Sequence, residues 1–454
     1  MSKEIVASAL LAAAAVGLAG LAVVWAPLRR YLLCGFFLGV GKILDVNWVS
    51  REDYRGWVRG FEVGSLDVVV VALLAAVLAG PGRRPVRFLP ALMLPLLAWV
   101  TLAFVSAFTA EVPLYAGFGL LKFVRYTLAF WAVANAVRDE TDLRWLLWTF
   151  VACAGLQSFD AVQDYLKGVY RVRGSFDHSN TLGMYLNMFL PIIFSALMNL
   201  RTRWRGLLLA VFGLGAGTVV LTLSRGSWVA LGLALAVVLP LSFALRLRPE
   251  KLALVALMVT IAIPPGAIAV QKMIRRIQEA PASSGEARVE FNKVARQMAS
   301  DRAFGIGINN YSYGTDGPYS EPFGDGLDRG GLCHNLYFLT TGELGWGGLA
   351  ALISVFAAAF VHGARFLWRQ LDEGLGSIVM LGWVGSLVTV AFQSTLEWAP
   401  VQTGLGMTFF GLLAVGSATA RLPSGASVAR WTISWRVVPP PAGLTARPVR
   451  GGAR

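Results

Sequence analysis

An all-α polytopic membrane protein is the fold class this sequence predicts, with about 12 transmembrane helices and one large loop on the outer face that carries short helices. Three observations predict it. Of the 454 residues, 56% are hydrophobic and only 15% charged, with a mean hydropathy of +0.61, where a soluble domain carries roughly 25% charged residues. Apolar runs of roughly 18 to 25 residues recur along the chain, long enough to cross hydrocarbon as helices. Helix is the expected element because it satisfies each backbone polar group inside its own segment. Finally, a single long polar excursion, 271–334, interrupts the apolar pattern and supplies the glycines and turn formers needed to build something outside a bilayer.

Taken in order, the apolar runs cover 5–27, 31–44, 62–80, 88–109, 115–137, 142–167, 180–200, 205–222, 226–246, 251–270, 335–362, 376–396 and 401–420. The first lacks a small-residue cleavage site after Ala26-Pro27-Leu28-Arg29-Arg30 and is kept as a membrane helix rather than a signal sequence. The second is short, a half-helix. Counting 5–44 as one broken element gives twelve spans with Met1 inside; counting two gives thirteen with Met1 outside. Four domains follow: membrane helices with short outer loops over 1–270, the large outer loop over 271–334, further membrane helices over 335–420, and a Pro-, Gly- and Arg-rich tail over 421–454 with the composition of a disordered extension.

Charge sets the orientation. Basic residues cluster in short loops at Arg83–Arg87, Arg201–Arg205, Arg246–Lys251 and Arg365–Arg369, the signature of cytoplasmic loops. Alternation then places 45–61, 110–114, 168–179, 223–226, the large loop and Glu397-Trp398 on the opposite, outer face. The formal charge of +14 is accounted for by these loops, so no nucleic-acid partner is expected; the bilayer is. Cys34, Cys153 and Cys333 have no metal spacing and no C-x-x-C, which argues against a disulfide framework.

Cations on the outer face and within spans do not fit that pattern. Arg171 and Arg173 stand in the outer loop KGVYRVRGSFDHSN, and Arg225 in the tight turn Leu223-Ser224-Arg225-Gly226. Lys122 and Arg125 are three residues apart and share one helix face. Buried cations are expensive in hydrocarbon and mark partners, pathways or ligands. Lys122 and Arg125 either pair with Asp160 or Asp164 of the following span or bind an anionic substrate. Arg225 is either a turn residue snorkelling to the interface or a ligand contact, and Arg171 and Arg173 are either loop charge or part of the same basket. A membrane-anchored phosphate or pyrophosphate suits such a basket, because guanidinium forks match phosphate oxygens.

The large loop holds eight basic and eight acidic residues and is no general cation sink. Its stretch 271–298 has helical periodicity, with Val289, Val294 and Met298 on an apolar face and Arg288 and Arg296 at defined positions beside it. Gly305-Ile306-Gly307-Ile308-Asn309-Asn310 is a turn-rich connection without the strand context of a nucleotide-binding loop. His334 is one of three histidines, with His178 and His362. It either caps the helix starting at Asn335 or acts as a general base toward a hydroxyl. His178, in the 168–179 loop, is a second candidate. Glu343 lies further along the His334 helix and either orients His334 or packs. No DxD pair or His/Cys cluster lies on the outer face, so neither a metal nor a cofactor is expected. No nucleophile elbow occurs in a strand-turn-helix context.

These residues resemble the O-antigen ligase and Wzy-type polysaccharide polymerase superfamily of bacterial inner-membrane glycosyltransferases. The likeness spans roughly Leu166 to Gly348. It rests on Arg173-Gly174-Ser175-Phe176-Asp177-His178-Ser179-Asn180, Ser224-Arg225-Gly226, Arg288 at the loop helix, Phe304-Gly305-Ile306-Gly307, and His334-Asn335-Leu336 followed by Glu343-Leu344-Gly345. Ser179 departs from the proline the family commonly has there. The resemblance implies a site facing the periplasm, a polyprenyl (undecaprenyl) pyrophosphate-linked glycan as donor, and metal-independent, inverting transfer to an acceptor hydroxyl. By the same resemblance Arg225 and Arg288 hold the pyrophosphate, His334 activates the acceptor, and Arg173 helps bind the donor; His178, Asn180 and Asn335 are carried over as further substrate contacts. The acceptor is lipid A-core sugar for a ligase, another lipid-linked repeat for a polymerase, or a protein hydroxyl. A transporter or flippase for lipid-linked glycans is the alternative of another class. It would show internal repeats and broken mid-membrane helices, and the sequence shows neither.

Overall fold

The computed structural model describes residues 3–82, 84–260, 271, 282–323 and 329–422. The C-terminal tail beyond 422 and the expected continuations over 261–270 and 272–281 lie outside the described residues. Within the described residues, each expected apolar run holds a helix: α1 (Lys3–Val24), α2 (Leu28–Leu38), α3 (Ser65–Leu78), α4 (Met93–Phe108), α5 (Pro113–Ala136), α6 (Glu140–Leu166), α7 (Ser179–Asn199), α8 (Arg205–Leu221), α9 (Arg225–Leu245), α10 (described over 249–260), α13 (Leu336–Gln370), α14 (Leu375–Gln393) and α15 (Thr403–Thr419). The polar excursion contributes α11 (Ala282–Asp301) and the short α12 (Tyr311–Asp316). Among the described residues, six helices are long and apolar enough to cross a membrane: α1, α6, α7, α9, α13 and α14. Four shorter apolar helices, α3, α4, α8 and α15, accompany them. The run 31–44 is indeed short, an eleven-residue helix followed by a 3₁₀ turn.

One element departs from the all-helical expectation. Residues 45–64 form a hairpin whose strands β1 (Asp45–Trp48) and β2 (Phe61–Gly64) pair antiparallel, Asp45 opposite Gly64 and Trp48 opposite Phe61. Four-residue strands carry too little alternation to read as β from sequence, and an isolated hairpin is stable only against a packed surface.

Helix α7 is the centre of the bundle. Its sequence is apolar on all sides, the pattern of a helix surrounded by others, and every residue from Thr181 to Asn199 is buried. Helix α14 approaches it closely because Gly382 and Gly385 face Ile192 and Pro191; a Cβ on Gly382 would stand 2.3 Å from the Ile192 Cα. Small residues at such crossings let backbones meet. Polar side chains cross-link the core. Asn187 donates to the Ser227 carbonyl (2.9 Å) and to Gln393 Oε1 (3.0 Å), Gln393 donates to Ser227 Oγ (2.9 Å), and Thr389 donates to the Asn187 carbonyl (2.9 Å). This knot ties α7, α9 and α14 together near the ends where they meet the functional residues.

The two ends of the bundle differ. At one, the basic loops interlock: Arg84 donates to the Arg138 carbonyl, Arg205 pairs with Glu250, Arg248 with Glu373, and Lys251 donates to Asn199 Oδ1. At the other lie the hairpin, the 303–310 segment, His334 and Glu397.

The 303–310 segment docks onto an interruption in α13. Gly345 sits at φ +71 inside that helix, and the Ile306 and Gly307 amides donate to the Gly342 and Glu343 carbonyls at 3.0 Å each. Both sides need glycine here: a Cβ on Gly345 would meet the Ala303 oxygen at 2.1 Å, and one on Gly305 the Glu343 carbonyl carbon at 2.5 Å. The positive φ adds a conformational reason, since only glycine adopts it without strain.

Helix α11 then lies along α13, burying Phe291, Val294, Ala295 and Met298. Val289, expected on that face, is instead 52% exposed. The buried positions 291, 294, 295 and 298 follow the i, i+3, i+4, i+7 pattern, and 289 is out of phase with it.

Candidate functional site

The turn before α9 sets the first functional side chain. Leu223 takes a left-handed backbone, φ +51, a conformation costing about 1–3 kcal/mol for a residue with a Cβ. Ser224 follows as N-cap, its Oγ accepting from the Ser227 amide at 3.4 Å. Arg225 is thereby the first residue of α9, exposed at its positive end, where unsatisfied amides and the helix dipole favour an anion. Among the described residues its guanidinium has no hydrogen-bonding or ionic partner.

Arg225 opens onto a cleft lined also by Asn180 at the start of α7, Ser224 and Gly226, Arg288 of α11, and Gln393, Leu396 and Glu397 at the end of α14. Four elements far apart in sequence supply it. Glu397 is its hub. Its Oε1 accepts from Asn180 Nδ2 at 2.5 Å and stands 3.8 Å from the Arg288 guanidinium, while Oε2 lies 3.2 Å from His334 Nδ1. The Glu397 side chain is 16% exposed, those of Arg288 and His334 42% and 44%. The cleft therefore holds two guanidiniums against one carboxylate that also contacts the His334 imidazole, and the Arg225 guanidinium has no partner among the described residues.

Of the nine residues singled out by sequence, Asn180, Arg225 and Arg288 line the cleft, and His334 joins it through Glu397. The His334 side chain does not cap α13. That role belongs to Asn335, whose Oδ1 accepts from the Tyr337 and Phe338 amides at 3.0 and 3.2 Å while Nδ2 donates to the Thr395 carbonyl at 3.0 Å. Asn180 is likewise committed at both ends of its amide, since Arg171 Nη2 donates to its Oδ1 at 2.8 Å. Arg173 and His178 are exposed and do not line the cleft. The Arg173 and Gly174 amides donate to Asp164 Oδ2 at 3.0 and 2.9 Å, which shapes their loop.

Lys122 and Arg125 are paired, with acids other than those expected. Lys122, 3% exposed, lies 3.0 Å from Glu62 of the hairpin, and Arg125 makes a bidentate pair of 2.7 Å bonds with Asp67 of α3. Asp160 and Asp164 take no part. Glu62 comes from a hairpin that apolar periodicity does not reveal and Asp67 from the first turn of α3, and a bidentate carboxylate fork is the geometry guanidinium favours. Glu343 does not orient His334 either. It is buried under the hairpin, both oxygens 3.1 Å from Trp57 Nε1 and one 3.4 Å from the Tyr311 amide.

The hairpin cluster carries a pH signature. Burial pushes the Asp45 carboxyl up to about 6; Arg125 draws it back down, and Glu62 and Asp67 push it further up. A carboxyl whose folded value is raised favours the fold when protonated. That stabilisation is present below the unfolded value of 3.8 and is lost as pH rises through about 6. Asp45 is exposed at the edge of the hairpin, so solvent screens most of this effect; Asp45→Asn, uncharged throughout, is therefore expected to be more stable than the parent by only about 0.5–1 kcal/mol near pH 8, with the difference closing near pH 4. Thermal unfolding in detergent at the two pH values measures this.

Glu397 is the cleft residue that sequence reasoning passed over. The available signal was an acid between two apolar runs on the outer face. Cys333, beside His334, is a packing residue: its Sγ lies 3.1 Å from Asn292 Oδ1, and burial pushes the thiol up to about 12, so it supplies no thiolate.

A multi-pass helical membrane protein with a polar, cation-bearing cleft at one end of its bundle is the class this arrangement defines. More narrowly, residues 210–353, about a third of the chain, match the family model described as O-antigen ligase, which supports the expected likeness to the O-antigen ligase and Wzy-type superfamily. The matched stretch contains Arg225, Arg288 and His334; Asn180 and Glu397 lie outside it. No curated protein matches the chain.

Proposed function

We propose that the chain transfers a glycan from a polyprenyl (undecaprenyl) pyrophosphate donor to an acceptor hydroxyl, as an O-antigen ligase does, at the periplasmic face of the bacterial inner membrane. The observation that carries this reading is the meeting of Arg225, Arg288 and His334, from three separate elements, around one cleft. Arg225 and Arg288 bind the diphosphate and stabilise the charge that grows on it as the glycosidic bond breaks. His334 Nε2 takes the proton from the acceptor hydroxyl, the oxygen attacks the anomeric carbon from the opposite side, and polyprenyl pyrophosphate departs with inversion. Pyrophosphate is already a good leaving group, so positioning, charge stabilisation and one base suffice. Arg173 and His178, on the loop leading to Asn180, are positioned for the outer parts of the donor rather than its diphosphate. Lys122 and Arg125 drop out of the donor site in this reading, their charges being met by Asp67 and Glu62. The basic loops at the far end of the bundle support the orientation by the positive-inside rule.

Purified protein reconstituted with polyprenyl-pyrophosphate glycan tests it. A higher-mass product on lipid A-core is expected. Product without that acceptor makes the chain a Wzy-type polymerase, and donor movement across the bilayer without any product overturns transfer altogether in favour of a flippase.

A further inference from the structure

We infer that Glu397 is the positioning residue of this site, holding His334 in the tautomer that leaves Nε2 as a proton acceptor. The role rests on the glycosyl-transfer reading above; the contact itself does not. A carboxylate oxygen only accepts, so the 3.2 Å contact of Glu397 Oε2 with Nδ1 requires the ring proton on Nδ1. In the neutral ring the lone pair is then on Nε2. An imidazole free to take either tautomer would spend part of its time with Nε2 protonated and unable to act as a base. Orientation by an acid through the other ring nitrogen is a general device for histidines, whether they bind metals or move protons.

What makes Glu397 fit for this is that it is itself held. Arg171 donates to the Thr222 carbonyl at 3.1 Å through Nε and to Asn180 Oδ1 at 2.8 Å through Nη2; Asn180 Nδ2 then donates to Glu397 Oε1 at 2.5 Å. The carboxylate is thus fixed from the loop before α7 and the end of α8, while Arg288 faces the same oxygen at 3.8 Å from α11. A relay from the α8–α9 turn to His334 results, and every link has a defined donor and acceptor. Backbone contacts hold the two partners' segments together, the Leu336 amide donating to the Ser394 carbonyl at 2.8 Å and Asn335 Nδ2 to the Thr395 carbonyl. The chain brings Glu397 and His334, 63 residues apart, to one place by pairing the start of α13 with the end of α14.

Two measurements test the inference. In the reconstituted assay, Glu397→Gln is expected to lower kcat about 10²-fold with the donor KM little changed, and Glu397→Asp to recover part of the loss. Because the chain has three histidines, ¹⁵N-histidine NMR of the purified protein in nanodiscs reads the ring nitrogens directly, with His178→Gln and His362→Gln used for assignment. The expected parent spectrum has His334 protonated at Nδ1 and bare at Nε2, and Glu397→Gln is expected to mix the tautomers. A His334 spectrum indifferent to Glu397→Gln, or an unchanged kcat, overturns the inference. A tautomer that follows Glu397 in a protein that transfers nothing upholds the contact and overturns the transfer reading instead.

Discussion

His334→Ala is expected to abolish measurable glycan transfer, by about 10²–10⁴-fold in kcat, while the donor still binds. The imidazole is 44% exposed, and its hydrogen bond is to Glu397 rather than to the arginines proposed to bind the diphosphate. Its removal leaves Arg225 and Arg288 in place, so donor affinity measured by equilibrium binding should be nearly unchanged. The Asn335 cap on α13 is also untouched, and unfolding temperature should stay close to the parent's. Loss of transfer accompanied by loss of donor binding would point to a binding role for His334. Undiminished turnover would remove it from the mechanism.

Arg225→Ala is expected to lower kcat/KM for the donor by about 10²–10³-fold. Its guanidinium has no partner among the described residues, so the substitution breaks no contact that holds the fold, and stability should be unaffected. Arg288→Ala should show a loss of similar size with a different companion effect, because Arg288 also faces Glu397 at 3.8 Å. If both arginines hold one diphosphate, as proposed, the two substitutions should combine less than additively. Arg225→Lys separates ligand binding from snorkelling. Lysine snorkels as well as arginine does, so an interfacial role is preserved by it. A bidentate hold on phosphate oxygens is not, and most of the loss should remain. The measurement is initial rate against donor concentration for each variant.

The large loop shows where residue-level reading succeeds and fails. The helical periodicity around Arg288 was legible because one face of α11 must be apolar to pack on α13, and Val294 and Met298 are on it. Val289 was misplaced because the phase of a short amphipathic helix depends on which neighbour it meets, and that neighbour, α13, is 40 residues further on. Glycines 305 and 307 marked a turn in the sequence, whereas Gly345 lay inside an expected span. Their meaning, a loop backbone docked into a broken helix, needed both partners in view.

Composition and apolar run length determined the helical membrane class and the positions of the helices, because burying a backbone in hydrocarbon is a local requirement that each segment meets alone. Sequence likewise marked Arg225, Arg288 and His334, since charge and imidazole stand out in apolar surroundings. Only the tertiary structure decided which charges are spent and which are free. Lys122 is met by Glu62 on a hairpin with no periodicity to reveal it and Arg125 by Asp67 at the start of α3, and Arg225 has no partner among the described residues. Only the structure, too, found Glu397, an acid whose position is ordinary in sequence and which becomes central when the end of α14 meets the starts of α7 and α13. Ion pairs and hydrogen bonds are contacts at about 3 Å between segments that here lie 58 to 217 residues apart, and no local pattern encodes them.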